Sequence, residues 1–122
     1  MTRHGFAWKA LAAIMITNGT LAVVAPRWLA GRLGVRAELQ PAMLYALRMF
    51  GIRTVLVAAD LCLEPRRRRR ALKEGILMHS TDAAAALVAV SLGQLPFRAG
   101  VLAGGISVAN TLLCLVGSRG RR

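Results

Sequence analysis

An all-α fold, a transmembrane four-helix bundle forming a single domain over residues 1–122, is predicted by three observations. The chain is 56% apolar and 18% charged, with a mean hydropathy of +0.51, which is more apolar surface than a soluble domain of 122 residues can hide. Its charges cluster and leave four stretches nearly free of them, at approximately residues 6–25, 42–63, 71–92 and 97–116. Each has about the twenty residues that cross a ~30 Å hydrocarbon core at ~1.5 Å per residue. The last stretch carries no charge from Ala99 to Ser118, so it lacks the polar stripe of a soluble bundle helix.

The net charge of +12 has two readings. A nucleic-acid partner is suggested by the run Arg66–Arg70, but the positive-inside rule explains the position of the charges as well as their sign. With four spans, one side holds Arg3, Lys9, Arg66–Arg70, Lys73, Arg119, Arg121 and Arg122, eleven in all, and the other holds Arg27, Arg32, Arg36 and Arg98. Both termini are therefore expected in the cytoplasm, with the basic loop Arg66–Arg70 at anionic headgroups and no nucleic acid bound.

In chain order, residues 1–5 form a short basic lead. In the first helix Trp8 is placed to anchor at the inner interface and Lys9 to snorkel there. A charged start before an apolar centre also suits a signal peptide, but cleavage after Ala25 is disfavoured by Pro26, and the other three spans need an orienting partner. Thr17, Asn18, Gly19 and Thr20 are polar for a lipid-facing surface and are expected to face other helices. Pro26 ends this helix because proline has no amide hydrogen to continue the ladder. The linker to Pro41 sets Trp28, Leu29, Leu33 and Leu39 among Arg27, Arg32, Arg36 and Glu38. It is long for a helical hairpin and reads as a short amphipathic piece in the outer interface, with a ligand-binding lid as the alternative.

The second helix places Arg48 and Arg53 inside an apolar span. A central arginine costs roughly 2.5–3.5 kcal/mol on insertion scales, so it requires a partner or water. Folding the second and third helices antiparallel about a turn near Arg67–Arg68 sets Arg53 level with Asp82, and Asp60 level with Lys73 as a second ion pair. Around a centre near Leu33, Arg48 is level with Asn18. His79 lies one turn nearer the cytoplasm than Asp82 on the same face, and Asn110 on the fourth helix falls near its depth. Asn18, Arg48, Arg53, His79, Asp82 and Asn110 are thus candidates for a buried polar core. It serves either as a proton- or anion-handling cavity or as a structural ion pair that fixes helix register.

On the fourth helix Gly100, Gly104, Ser107, Thr111, Cys114 and Ser118 recur every three or four residues as one stripe of small side chains. Such a stripe lets helices pack closely; packing within one chain is its commonest use and a homodimer seam its alternative. Cys62 and Cys114 form no C-x-x-C pair and fall near the cytoplasmic helix ends, where thiols stay reduced. His4 and His79 are the only histidines, which argues against two-histidine haem ligation. The chain has no phosphate-binding glycine loop, no G-x-S-x-G and no histidine–carboxylate metal signature. No catalytic, metal or cofactor site is expected. Fifteen arginines against two lysines suggest a high-GC bacterial genome.

Arg48-Met-Phe-Gly51-Ile-Arg53, His79-Ser-Thr-Asp82 and the Pro26 that closes the first helix resemble small four-helix membrane proteins of actinobacterial type. These belong to domain-of-unknown-function families and are similar in plan to DoxX-like proteins. The resemblance covers most of the chain and implies a four-helix bundle without implying an activity. Small multidrug exporters depend on an acidic residue in the first helix, which this chain lacks. The expected protein is a multi-pass, non-enzymatic accessory or ligand-binding protein of the bacterial inner membrane. The alternative is a small oligomeric transporter or channel for protons or a small anion. Its expected partners are the lipid bilayer and a second copy or another membrane protein.

Overall fold

The computed structural model describes residues 2–120, and among them the chain is entirely helical and turn. Four long helices, α1 (Arg3–Val24), α3 (Ala42–Leu63), α4 (Pro65–Ser91) and α5 (Phe97–Ser118), are joined by a short α2 (Pro26–Arg32) and tight connections. Arg121 and Arg122, counted above with the inner charges, lie outside the described residues.

Helix boundaries follow local chemistry. The Thr2 hydroxyl caps α1 by accepting from the Gly5 amide at 3.0 Å. Pro26 stops α1 and occupies the first turn of α2, where its missing amide hydrogen costs nothing. Two glycines sit in the left-handed region just beyond helix ends, Gly34 (φ +78°) after α2 and Gly93 (φ +71°) after α4. The next amide reaches back in each case, Val35 to the Ala30 carbonyl at 2.9 Å and Gln94 to that of Ala89 at 2.8 Å, closing the last turn.

The third long helix starts earlier than the charge pattern suggests. Arg66–Arg70 is not a loop but the opening turns of α4, since Pro65 is pre-set for a helix start, Glu64 is extended before it, and arginine is a good helix former. Arg70 donates to Glu74 one turn on at 2.8 Å, a charge-assisted bond that raises the arginine's pKa. Only Glu64 separates α3 from α4.

The long helices form an antiparallel ring. Contacts are most extensive between α1 and α3 and between α4 and α5, and slighter where α1 meets α5 and α3 meets α4. The α1–α3 crossing depends on glycine: a Cβ on Gly51 would stand 2.5 Å from the Gly19 carbonyl oxygen. Along α4–α5, a Cβ on Gly75 would press on Cys114, one on Gly100 on Val90, and one on Gly117 on Leu72. At the end bearing the arginine run, Leu11, Ala12, Met15, Ala58, Leu61, Ala71, Leu72 and Cys114 form the larger core. That end is also pinned by polar contacts. The Arg68 guanidinium stacks 3.7 Å from the centre of the Trp8 ring, its Nε donates to the Leu61 carbonyl at 2.7 Å, and His4 Nδ1 donates to that of Val116 at 2.8 Å. A smaller core of Ala22, Ala30, Val35 and Leu47 lies under α2 at the far end.

Helices α1 and α5 are long and apolar enough to cross a membrane; α3 and α4 are as long but carry ionisable residues within them. Large apolar side chains point outward on every long helix, among them Phe6, Leu56, Leu77, Leu87, Val101 and Leu112.

Candidate functional site

The polar residues gather between the two cores. On α3 the inward stripe runs Leu47, Gly51, Thr54, Ala58, three or four residues apart, which carries Thr54 into the interior. The α4 stripe runs Gly75, His79, Ala86, and the close Gly75–Cys114 approach sets Asn110, one turn from Cys114, opposite His79. Thr54, His79 and Asn110 are the buried polar residues among those described, each 5% exposed.

These three side chains line a cavity of about 240 Å³ to which all five helices contribute. Asn18, Asp82 and Ser107 complete its polar wall, and Met15, Leu47, Phe50, Ala103 and Ile106 its apolar one. Leu29, in α2, and Leu33, just after it, cover the far end, so the linker segment acts as a cover over the site. His79 Nε2 and Asn110 Oδ1 are fully buried and have no hydrogen-bond partner. An unpartnered buried polar atom costs about 1–3 kcal/mol, and these two belong to residues that line one hollow, an acceptor on Asn110 and a donor or acceptor on His79.

At the α3–α4 seam Arg53 Nη2 donates to Asp82 Oδ2 at 3.2 Å, and the guanidinium lies 5.6 Å from the centre of the Phe50 ring. This pair stands at the rim of the cavity rather than in the buried core expected for it, with 47% of the Arg53 side chain and 32% of that of Asp82 exposed. The reason is helical phase: Arg53 precedes the inward Thr54 by one residue and so turns some 100° away.

Other expectations are corrected. Arg48 is exposed and does not join the polar core. It lies one turn beyond the Gly19–Gly51 crossing and beside the inward Leu47, so its long side chain leaves the bundle. Asp60 pairs with Arg67 Nη1 at 3.8 Å and not with Lys73, because the early start of α4 brings Arg67 onto the first turn beside it, while Glu64 shares Arg67 at 3.6 Å. Lys73 is exposed. Thr17 and Thr20 face outward, because Gly19, in phase with Met15 and Ala22, takes the inward side of α1; Asn18 is half-buried at its edge.

The α5 stripe packs against α4 of its own chain. Gly100 meets Val90, Gly104 faces Ala86, Ser107 turns to the cavity, and the Thr111 hydroxyl is satisfied within α5 by donating to the Ser107 carbonyl at 2.8 Å. Thr54 is not among the residues the sequence singles out, Ser107 enters there only through the α5 stripe, and the α2 cover lies in the linker for which a ligand-binding lid is the alternative reading. Thr54 carried a usable signal, since it continues the small-residue face that begins at Gly51. Among the described residues no cluster of three or more histidine, cysteine or carboxylate side chains is arranged to hold a metal.

In comparisons with known proteins the chain matches no family model, no curated protein and no solved structure.

Proposed function

We propose that this chain is a four-span protein of the bacterial inner membrane that binds a small uncharged molecule in the five-helix cavity and carries out no chemistry on it. The observation that carries the binding reading is the pair of unpartnered buried atoms, His79 Nε2 and Asn110 Oδ1, on two residues that line a hollow suited to a ligand by its mix of apolar lining and convergent polar groups. The membrane reading is supported by the outward apolar side chains on all four long helices and by charges that, Arg48, Arg53, Asp60 and Asp82 apart, gather towards the helix ends and connections. In hydrocarbon no water reaches the Arg53–Asp82 pair, which makes their mutual contact the means by which α3 and α4 both span.

Native mass spectrometry of the full chain extracted from its own membranes tests this. A bound small molecule should accompany the wild type and be missing from Ala103→Phe, which fills the cavity. A wild type free of any adduct beyond phospholipid would sink the proposal.

One observation favours a second reading, a small transporter: the charged pair stands at the cavity rim, where one member can exchange its partner for a passing ion. In proteoliposomes, proton or anion flux present in the wild type and lost in Asp82→Asn would establish it.

A further inference from the structure

A second hollow, open to the outside and of about 400 Å³, runs along the seam between α1 and α5, where the helix contact is slight. Its outer lining is Ala13, Ile14, Thr17 and Ala109. Asn18, Ile106 and Asn110 line both this groove and the central cavity, so a single layer of side chains divides them. The other outer hollow of similar size, about 410 Å³ over α4 and α5, shares no lining residue with the cavity. The α1–α3 seam is closed by the Gly19–Gly51 approach. The α1–α5 seam thus sets an apolar groove on the outer face directly against Asn110, whereas the α3–α4 seam is occupied by the Arg53–Asp82 pair.

The chemistry of the two compartments differs. The cavity offers Asn110 Oδ1 to a donor and His79 Nε2 to a donor or acceptor, and the Asp82 charge is already answered by Arg53. A head with a full charge finds no free counter-charge there; an uncharged head with O–H or N–H groups finds two partners. At about 240 Å³ the cavity is below the ~300–1,000 Å³ of pockets that enclose a whole drug-sized ligand, so it takes a head and not a long chain as well. The groove is lined mainly by alanine, isoleucine and threonine on a face turned to lipid and suits an alkyl chain.

Resting on the binding reading above, we infer that the ligand is a lipid-soluble amphiphile with one uncharged, hydrogen-bonding head, the head held by His79 and Asn110 and the chain lying in the α1–α5 groove. It enters sideways from the bilayer at Asn18, Ile106 and Asn110.

The test uses the full chain in phosphatidylethanolamine–phosphatidylglycerol nanodiscs and a long-chain monoacylglycerol bearing a photoactivatable group in mid-chain. A hydrocarbon with the same photoactivatable group but no head is the control. Saturable labelling of α1 and α5 around Ala13 and Ala109 is expected from the monoacylglycerol, and even labelling of outward positions such as Leu56 and Leu77 from the hydrocarbon. Ala109→Trp fills the groove at an exposed position and leaves the fold intact; Asn110→Leu removes the head's acceptor. Each should weaken saturable labelling about tenfold, the worth of one good contact of ~1.4 kcal/mol. Identical labelling patterns for the two probes overturn the inference.

A short-chain glycerol ester, scored by thermal stabilisation, separates this failure from failure of the cavity reading. When the two photoprobes label alike, stabilisation by this ester that is lost in Ala103→Phe keeps the cavity and removes the groove. If neither probe distinguishes Ala103→Phe from the wild type, the cavity holds only water and both readings fall. Ser107→Leu replaces Ala103→Phe should that variant not fold.

Discussion

Asp82 accepts from Arg53 across a gap open to the outside, and the worth of that contact depends on the medium beyond it. In water a half-exposed pair contributes about 0.2–1 kcal/mol, whereas breaking one out of reach of water costs about 3–5 kcal/mol because a lone charge is left behind. Arg53→Met and Asp82→Leu are each expected to lower the unfolding temperature in detergent or bicelles, and the double mutant to regain most of the loss. Additive losses in the cycle would show that the two side chains do not act as a pair. The opposite sign is expected deeper in the site. Asn110 and His79 carry unpartnered atoms, so Asn110→Leu should raise stability by roughly 1–3 kcal/mol while removing the bound molecule. A loss of stability on that change would mean that Asn110 is satisfied in the empty protein. At this scale the sequence supplies depth and not direction. Equal distance from a turn places Arg53 with Asp82 and His79 with Asn110, but the outward lean of Arg48 and Arg53 depends on which stripe of α3 is buried. The inclusion of Leu29 and Leu33 depends on where α2 folds back.

Helix pairing divides the glycines into two kinds. A Cβ on Gly51 would meet backbone, the Gly19 carbonyl at 2.5 Å, and backbone cannot swing aside. A Cβ on Gly104 would meet only the Ala86 methyl at 3.8 Å, an ordinary contact. Gly51→Ala should therefore cost about 1–3 kcal/mol by overpacking, and Gly104→Ala should be close to neutral. Thermal melts that rank the two alike would place the α1–α3 crossing elsewhere. The G-x-x-x-G pattern draws attention to Gly100 and Gly104, where the neighbours are the Val90 and Ala86 side chains, yet the close approach onto backbone is made by two isolated glycines, Gly19 and Gly51, with no repeat to mark them. The arginine run misleads in a different way. Five consecutive charges read as a loop, but side-chain charge sets what a segment faces, and the N-terminal proline with good helix formers sets its backbone.

For the molecule as a whole, the arginine run, His4, Lys9 and Arg119 lie at one end of the bundle, and α2 with the 92–96 turn at the other. Reporter fusions truncated after Arg70 and after Arg122 should give a cytoplasmic signal, and fusions after Arg32 and after Gly93 an external one. A cytoplasmic signal at Arg32 would break the four-span proposal. The all-helical class and the four long helices are legible because hydrophobic length and punctuation by Pro26 and Pro41 are local properties. The ring order is not, since contacts of α1 with both α3 and α5 are settled by side-chain fit far apart in the chain.

The stack of Arg68 on Trp8, with its bond to Leu61, joins α1, α3 and α4 at the basic end, and His4 ties α5 to them. No comparable polar fastening joins the long helices beyond the Arg53–Asp82 pair at the other end among the described residues. The polar fastening of the bundle is thus concentrated at one end, and apolar packing alone holds the other. Helix α4 has 27 residues and a length of about 40 Å, so a tilt of about 5° at its basic end would displace its tip by roughly 3 Å. That swing is the width of one side chain, and it falls on the half of the molecule where the cavity, its leucine cover and the thin α1–α5 partition lie.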